Sequence, residues 1–67
     1  MIIVMQQGAA RREIEEVMLE IERLGYKSHP IHGVERTVIG AIGDERGKMR
    51  LQMLEMAPGV ERVIPIL

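Results

Sequence analysis

The stretch from Glu35 to Arg46, ERTVIGAIGDER, narrows the fold of this chain more than any other. It reads as an apolar strand from Thr37 to Ile42 with Gly40 inside it, closed by Gly43 and followed by a helix cap at Asp44. Glycine weakens a strand and marks places where another backbone or a ligand comes close. Asp44 suits a helix start, because its carboxylate accepts from the free N–H groups of the first turn and meets the positive end of the dipole. The local reading is a tight strand-to-helix connection in a small domain.

The rest of the chain supplies the other elements. Met1 to Met5 is a continuous apolar run ended by Gln6, Gln7 and Gly8, which predicts a short strand buried on both faces. From Ala9 to Leu24, Ile14, Val17, Met18, Ile21 and Leu24 recur at helical spacing, with Glu and Arg on a solvated outer face. Arg11 and Arg12 fall in the first turn, where the dipole disfavours positive charge. Gly25 stands where a left-handed C-cap is expected. Tyr26 to His32 is a second extended segment containing Pro30, and Gly33 and Val34 turn the chain into a strand from Arg36 to Ile42. So short a loop makes the two strands a hairpin. A second helix is expected from Glu45 to Met56, marked by Met49, Met53 and Met56, with Gly47 weakening its first turn. Pro58-Gly59 fits a type II turn, and a last strand is expected from Val60 to Leu67, containing Pro65.

Strand, helix, strand, strand, helix, strand is the ferredoxin-like βαββαβ pattern, an α+β sandwich of one four-stranded antiparallel sheet with two helices on one face. The prolines agree with it. In that topology the first and third strands are central and the second and fourth are edges. Proline removes a ladder donor and belongs on edges. Pro30 falls in the second strand and Pro65 in the fourth.

Sixty-seven residues make a single domain, residues 1–67. A core of that size supplies only about 3–5 kcal/mol of net stability, so small chains add disulfides, a metal or a partner. There is no cysteine. A net charge of −1 with interspersed signs offers no field for nucleic-acid phosphates, and the single aromatic, Tyr26, offers no stacking platform. The apolar start is too short for a signal peptide or a membrane span and lacks a basic flank, so the chain is expected to be soluble and cytoplasmic, with no membrane partner.

Two helices cover one face of such a sheet, and the other face is polar when it meets water. Here Ile2 and Val4 oppose Ile3 and Met5, and Val38 and Ile42 oppose Ile39 and Ala41. Both central strands are apolar on both sides, which marks the uncovered face as a partner surface, either for a second copy or for another domain. His29 and His32, at odd spacing on a strand, point to opposite faces and do not share a metal. Ser28 and Thr37 are the only hydroxyl residues besides Tyr26, and neither has an evident base. The chain has no asparagine for an acylphosphatase site and no cysteine pair for a heavy-metal domain. Its central strands have no aromatics for an RNA-recognition motif.

At ERTVIGAIGDER the chain resembles the N-terminal, ACT-like regulatory domain of deoxyarabinoheptulosonate phosphate (DAHP) synthases, the group that carries a ferredoxin-like domain ahead of a β/α barrel. The resemblance extends over the MIIVM start, the helix closing before Tyr26, the KSHPIHG strand and the VERV of the last strand. It implies a role in feedback control. The barrel condenses phosphoenolpyruvate with erythrose 4-phosphate, using a divalent metal, at the head of aromatic amino-acid synthesis. The catalytic residues and the metal are expected in the barrel, and this chain is expected to have no catalytic activity or cofactor of its own. The regulatory domains pair between subunits and bind tyrosine or phenylalanine at their junction, obstructing access to the barrel.

Residue by residue, His29 matches a family position that meets the ring hydroxyl of the ligand. Two positions on, tyrosine-selective relatives carry a hydroxyl residue where this chain has Ile31. Phenylalanine, tyrosine, both or neither remain open as ligands on that account. Gly40 is the third expected site residue, for close backbone approach. The alternative reading is a free-standing small-molecule-sensing or oligomerisation domain of the same fold, acting on a separate enzyme.

Overall fold

The computed structural model describes residues 1–43 and 48–65. Its elements are β1 (Ile2–Met5), α1 (Arg11–Arg23), β2 (Lys27–His32), β3 (Thr37–Ile42), α2 (Lys48–Gln52), a 3-10 helix (Met53–Met56) and β4 (Val60–Ile64). The strands form one antiparallel sheet in the order β2-β3-β1-β4, so β1 and β3 are central as the prolines require. Alternate residues of those strands, Ile3, Met5, Ile39 and Ala41, join Val17 and Ile21 of α1 and Leu51 and Leu54 in one core. Both helical layers therefore lie on the same face of the sheet. No helix among the described residues is long and apolar enough to cross a membrane.

Helix α1 begins with half of a capping box. The Glu13 carboxylate accepts from the Ala10 N–H at 2.9 Å, while alanine has no side-chain acceptor to return the bond. The helix ends in a Schellman motif. Gly25, at φ 93°, donates to Glu22 at 3.0 Å, and Tyr26 donates to Ile21 at 3.1 Å. The outer face differs from the plain solvated surface expected, because it carries Arg11–Glu15 and Arg23–Glu20 ion pairs at 3.7 and 3.3 Å. Exposed pairs of this kind contribute only about 0.2–0.5 kcal/mol each, but Glu15 accounts for Arg11 in the first turn.

The glycine that closes β3 has a packing cause. A Cβ on Gly43 would lie 2.7 Å from Cδ2 of Tyr26, so only glycine leaves room for that buried ring at the strand end. At the far end, Val60 donates to Ala57 at 3.2 Å and Gly59 takes φ 85°, as the type II turn requires.

The second helical segment departs from expectation in form. Its described part is five residues of α-helix followed by four of 3-10 helix; the proposed start at Glu45, Gly47 and the Asp44 cap lie outside the described residues. Leu51 and Leu54 enter the core, and the methionine row that marks the helix in sequence faces outward. Strand β4 ends at Ile64 rather than Leu67, with Pro65 immediately beyond it.

Both sheet edges are interrupted. The Gly33 N–H donates to the Arg36 carbonyl at 3.0 Å, and hydrogen-bonded pairs alternate with non-bonded ones along an antiparallel ladder. The Pro30–Ile39 pair is then a non-bonded one, and the proline nitrogen, which has no hydrogen, faces the free edge. On β4 the outward N–H of Val63 donates to the Glu55 carboxylate at 3.2 Å.

Candidate functional site

Residues directly opposite one another in a ladder share a face of the sheet. The pairings His29–Gly40, Gly40–Ile2 and Ile2–Ile64 make one row across the face away from the helices. A second row runs Ile31–Val38–Val4–Arg62, and Lys27 opposite Ile42 begins a third. This outer face is largely apolar and uncovered: Ile31 is 57% exposed, Ile42 61% and Ile64 38%. Val4, at its centre, is buried without belonging to the core on the other side.

His29, Ile31 and Gly40, the three expected site residues, thus lie together on this face. A Cβ on Gly40 would meet nothing closer than the His29 carbonyl oxygen at 3.7 Å, an ordinary contact, and its φ is not positive. The domain's own packing therefore gives no reason for glycine here. Between His29 and Ile2 this row therefore carries no side chain, at a position where a Cβ would fit without a clash.

One end of the face is closed by an ion pair. The register of β4 shifts between Val4, which pairs with Arg62, and Met5, which pairs with Val60, leaving Glu61 as the extra residue of a bulge. Glu61 accepts from the Arg36 guanidinium at 2.7 Å. Lys27 and Arg62 are the remaining cations placed on this face by the register. The shared face of Lys27 and His29 was legible from their spacing of two along a strand; the Arg36–Glu61 pair had no sequence signal, because a bulge created it.

His32 belongs to the opposite face, as its odd spacing from His29 requires. Its Nδ1 lies 3.2 Å from the Thr37 hydroxyl, which is buried. It borders an open groove of about 480 Å³ between α1 and β2, floored by Ala9, Ile14, Met18 and Pro30. Ser28 donates to Glu22 at 3.0 Å and ties the β2 edge to α1. Among the described residues, no three His, Cys, Asp or Glu side chains gather closely enough to hold a metal ion.

Comparison with known proteins agrees with this architecture. A phospho-2-dehydro-3-deoxyheptonate aldolase of Thermotoga maritima is 36% identical over 66 residues, which are 96% of this chain and 20% of the relative. The crystal structure of a DAHP synthase from Thermotoga maritima superposes with a TM-score of 0.84 at 35% identity, covering 98% of this chain and 19% of that one. The chain thus spans about a fifth of the length of the curated relative it matches, within its N-terminal part. The family model for the DAHP synthase ferredoxin-like domain matches residues 1–67, and the chain belongs to that family.

Proposed function

We propose that the chain is the feedback-regulatory domain of a DAHP synthase polypeptide, and that two copies pair through their outer sheet faces around an aromatic amino acid. The observation that carries this reading is the convergence of His29, Ile31 and Gly40 on one exposed apolar face, with no side chain at Gly40 beside the His29 imidazole. The ring of phenylalanine or tyrosine lies over Gly40, with the His29 imidazole against its outer end and Ile31 and Ile2 as apolar walls. Backbone groups near the hairpin hold the charged end. Burial of apolar surface supplies the affinity, at about 25 cal/mol per Å².

The interrupted edges favour pairing by faces. Sheet extension needs a row of free N–H groups, and Pro30 on β2 and the Glu55–Val63 bond on β4 interrupt both rows. The second partner in this reading is the catalytic barrel, which condenses phosphoenolpyruvate with erythrose 4-phosphate. In this reading the divalent metal of that reaction is held by the barrel. The domain contributes control and no catalytic group.

Calorimetric titration of phenylalanine and tyrosine into the wild-type chain and into His29→Ala tests the reading. Binding that is lost on substitution is expected. Absence of binding to either amino acid at millimolar concentration, or binding that the substitution leaves unchanged, overturns it.

A further inference from the structure

The helical segment after residue 47 is apolar on two sides. Leu51 and Leu54 fill the core, while Met49, Met53 and Met56 form a second row at helical spacing and are 81%, 69% and 87% exposed. Exposed apolar side chains gathered in a row, unlike scattered single ones, mark an interaction surface. Unbranched methionines with polarisable sulfur adapt to irregular partner surfaces. The row lies on the helix layer, on the other side of the sheet from the His29 face, so neither surface can substitute for the other.

We infer that Met49, Met53 and Met56 are the docking strip for the catalytic domain of the same polypeptide. The inference rests on the reading of the chain as one domain of a longer synthase. Its area decides the occupant. Three methionine side chains offer roughly 150–300 Å² of apolar surface by the usual transfer scale. A stable complex of free partners needs about 800 Å² on each side. A strip this small holds a partner supplied at the millimolar effective concentration of a covalent link. The 3-10 helix packs on β4, and in the relatives matched here the other four-fifths of the chain lies outside the matched N-terminal part. The strip therefore lies beside the strand that, in this reading, leads toward the barrel. The domain then has two working surfaces, the sheet face for its own copy and ligand and the methionine strip for the enzyme it controls.

Peroxide footprinting read by mass spectrometry tests this, because conversion of methionine to sulfoxide follows exposure. In the 67-residue chain Met49, Met53 and Met56 should oxidise rapidly at any protein concentration, with fully buried Met5 as the slow internal reference. In the complete polypeptide the three should react at least about tenfold more slowly. Met53→Glu in that polypeptide should return Met49 and Met56 to the fast rate. Equal rates in the two proteins overturn the inference. So do protection that grows with concentration in the short chain, which assigns the strip to a second copy, and a reading frame ending at Leu67. Protected methionines in an enzyme that neither aromatic amino acid inhibits support docking and sink the regulatory reading. Inhibition with unprotected methionines does the reverse.

Discussion

His29 and Gly40 face each other across the β2–β3 ladder, and nothing in the domain's own packing excludes a side chain at Gly40. A methyl group there would make only ordinary contacts, 3.7 and 3.9 Å from His29 atoms. Glycine in a strand interior costs about 0.5–1 kcal/mol relative to alanine. Gly40→Ala should therefore raise stability by about that amount while weakening aromatic amino-acid binding, because the methyl group takes the place of the ring. Denaturant unfolding and calorimetry on the same sample check both halves. A variant that is more stable and binds as before shows that Gly40 is not in the site.

The two histidines should separate cleanly. His29 is exposed on the outer face, so His29→Ala should change stability by less than about 0.5 kcal/mol. His32 bonds the buried Thr37 hydroxyl, and His32→Ala leaves that group without this partner at a cost of about 1–3 kcal/mol. Binding should respond in the opposite order. Urea midpoints for the two variants, compared with their titrations, decide it.

In the second helical segment, Leu51 is fully buried and Met53 largely exposed. Leu51→Ala should cost about 2–5 kcal/mol, which is most of the stability available to a core of this size. Met53→Gln should stay within about 0.5 kcal/mol. Circular dichroism melts would show the first variant largely unfolded at room temperature and the second like wild type. The reverse ranking would mean that the methionine row packs inward.

That segment also marks where the sequence stops being readable. The element order βαββαβ, with Pro30 in the second strand, placed β1 and β3 at the centre of the sheet. That His29 and His32 lie on opposite faces followed from their odd spacing. Periodicity in KMRLQMLEM, by contrast, offers two apolar rows, leucine and methionine, and spacing alone does not say which one the core takes. The change to 3-10 geometry at Met53 depends on packing against β4 and left no local signal. His29 and Ile31 could be placed on one face from their spacing of two; the pairing of Gly40 with His29 could not, since it depends on the hairpin register.

The Arg36–Glu61 pair closes one end of the outer face at 2.7 Å, with each side chain about a third exposed. A double-mutant cycle with Arg36→Ala and Glu61→Ala should give a coupling of about 0.2–1 kcal/mol that shrinks as salt is raised. A coupling that survives molar salt would mean that the pair is shielded by a second copy, and sedimentation of the same samples would reveal the dimer.

Ile31 pairs with Val38 on the outer face, one ladder step beyond His29 on the same side, and it carries no group to meet a phenol. A tyrosine hydroxyl buried beside it finds His29 alone, and a polar group left short of partners loses about 1–3 kcal/mol. Phenylalanine, which has no hydroxyl to satisfy, should accordingly bind at least as well as tyrosine. Ile31→Ser restores a hydroxyl at the ring end and should shift the preference toward tyrosine by roughly 5- to 150-fold, the same 1–3 kcal/mol read as a ratio. The substitution removes an exposed side chain, so the fold should tolerate it. Competitive calorimetry with both amino acids on the two proteins measures the ratio directly. A wild type that already prefers tyrosine tenfold, or a ratio that Ile31→Ser does not move, would place the ring away from β2 and withdraw Ile31 from the site.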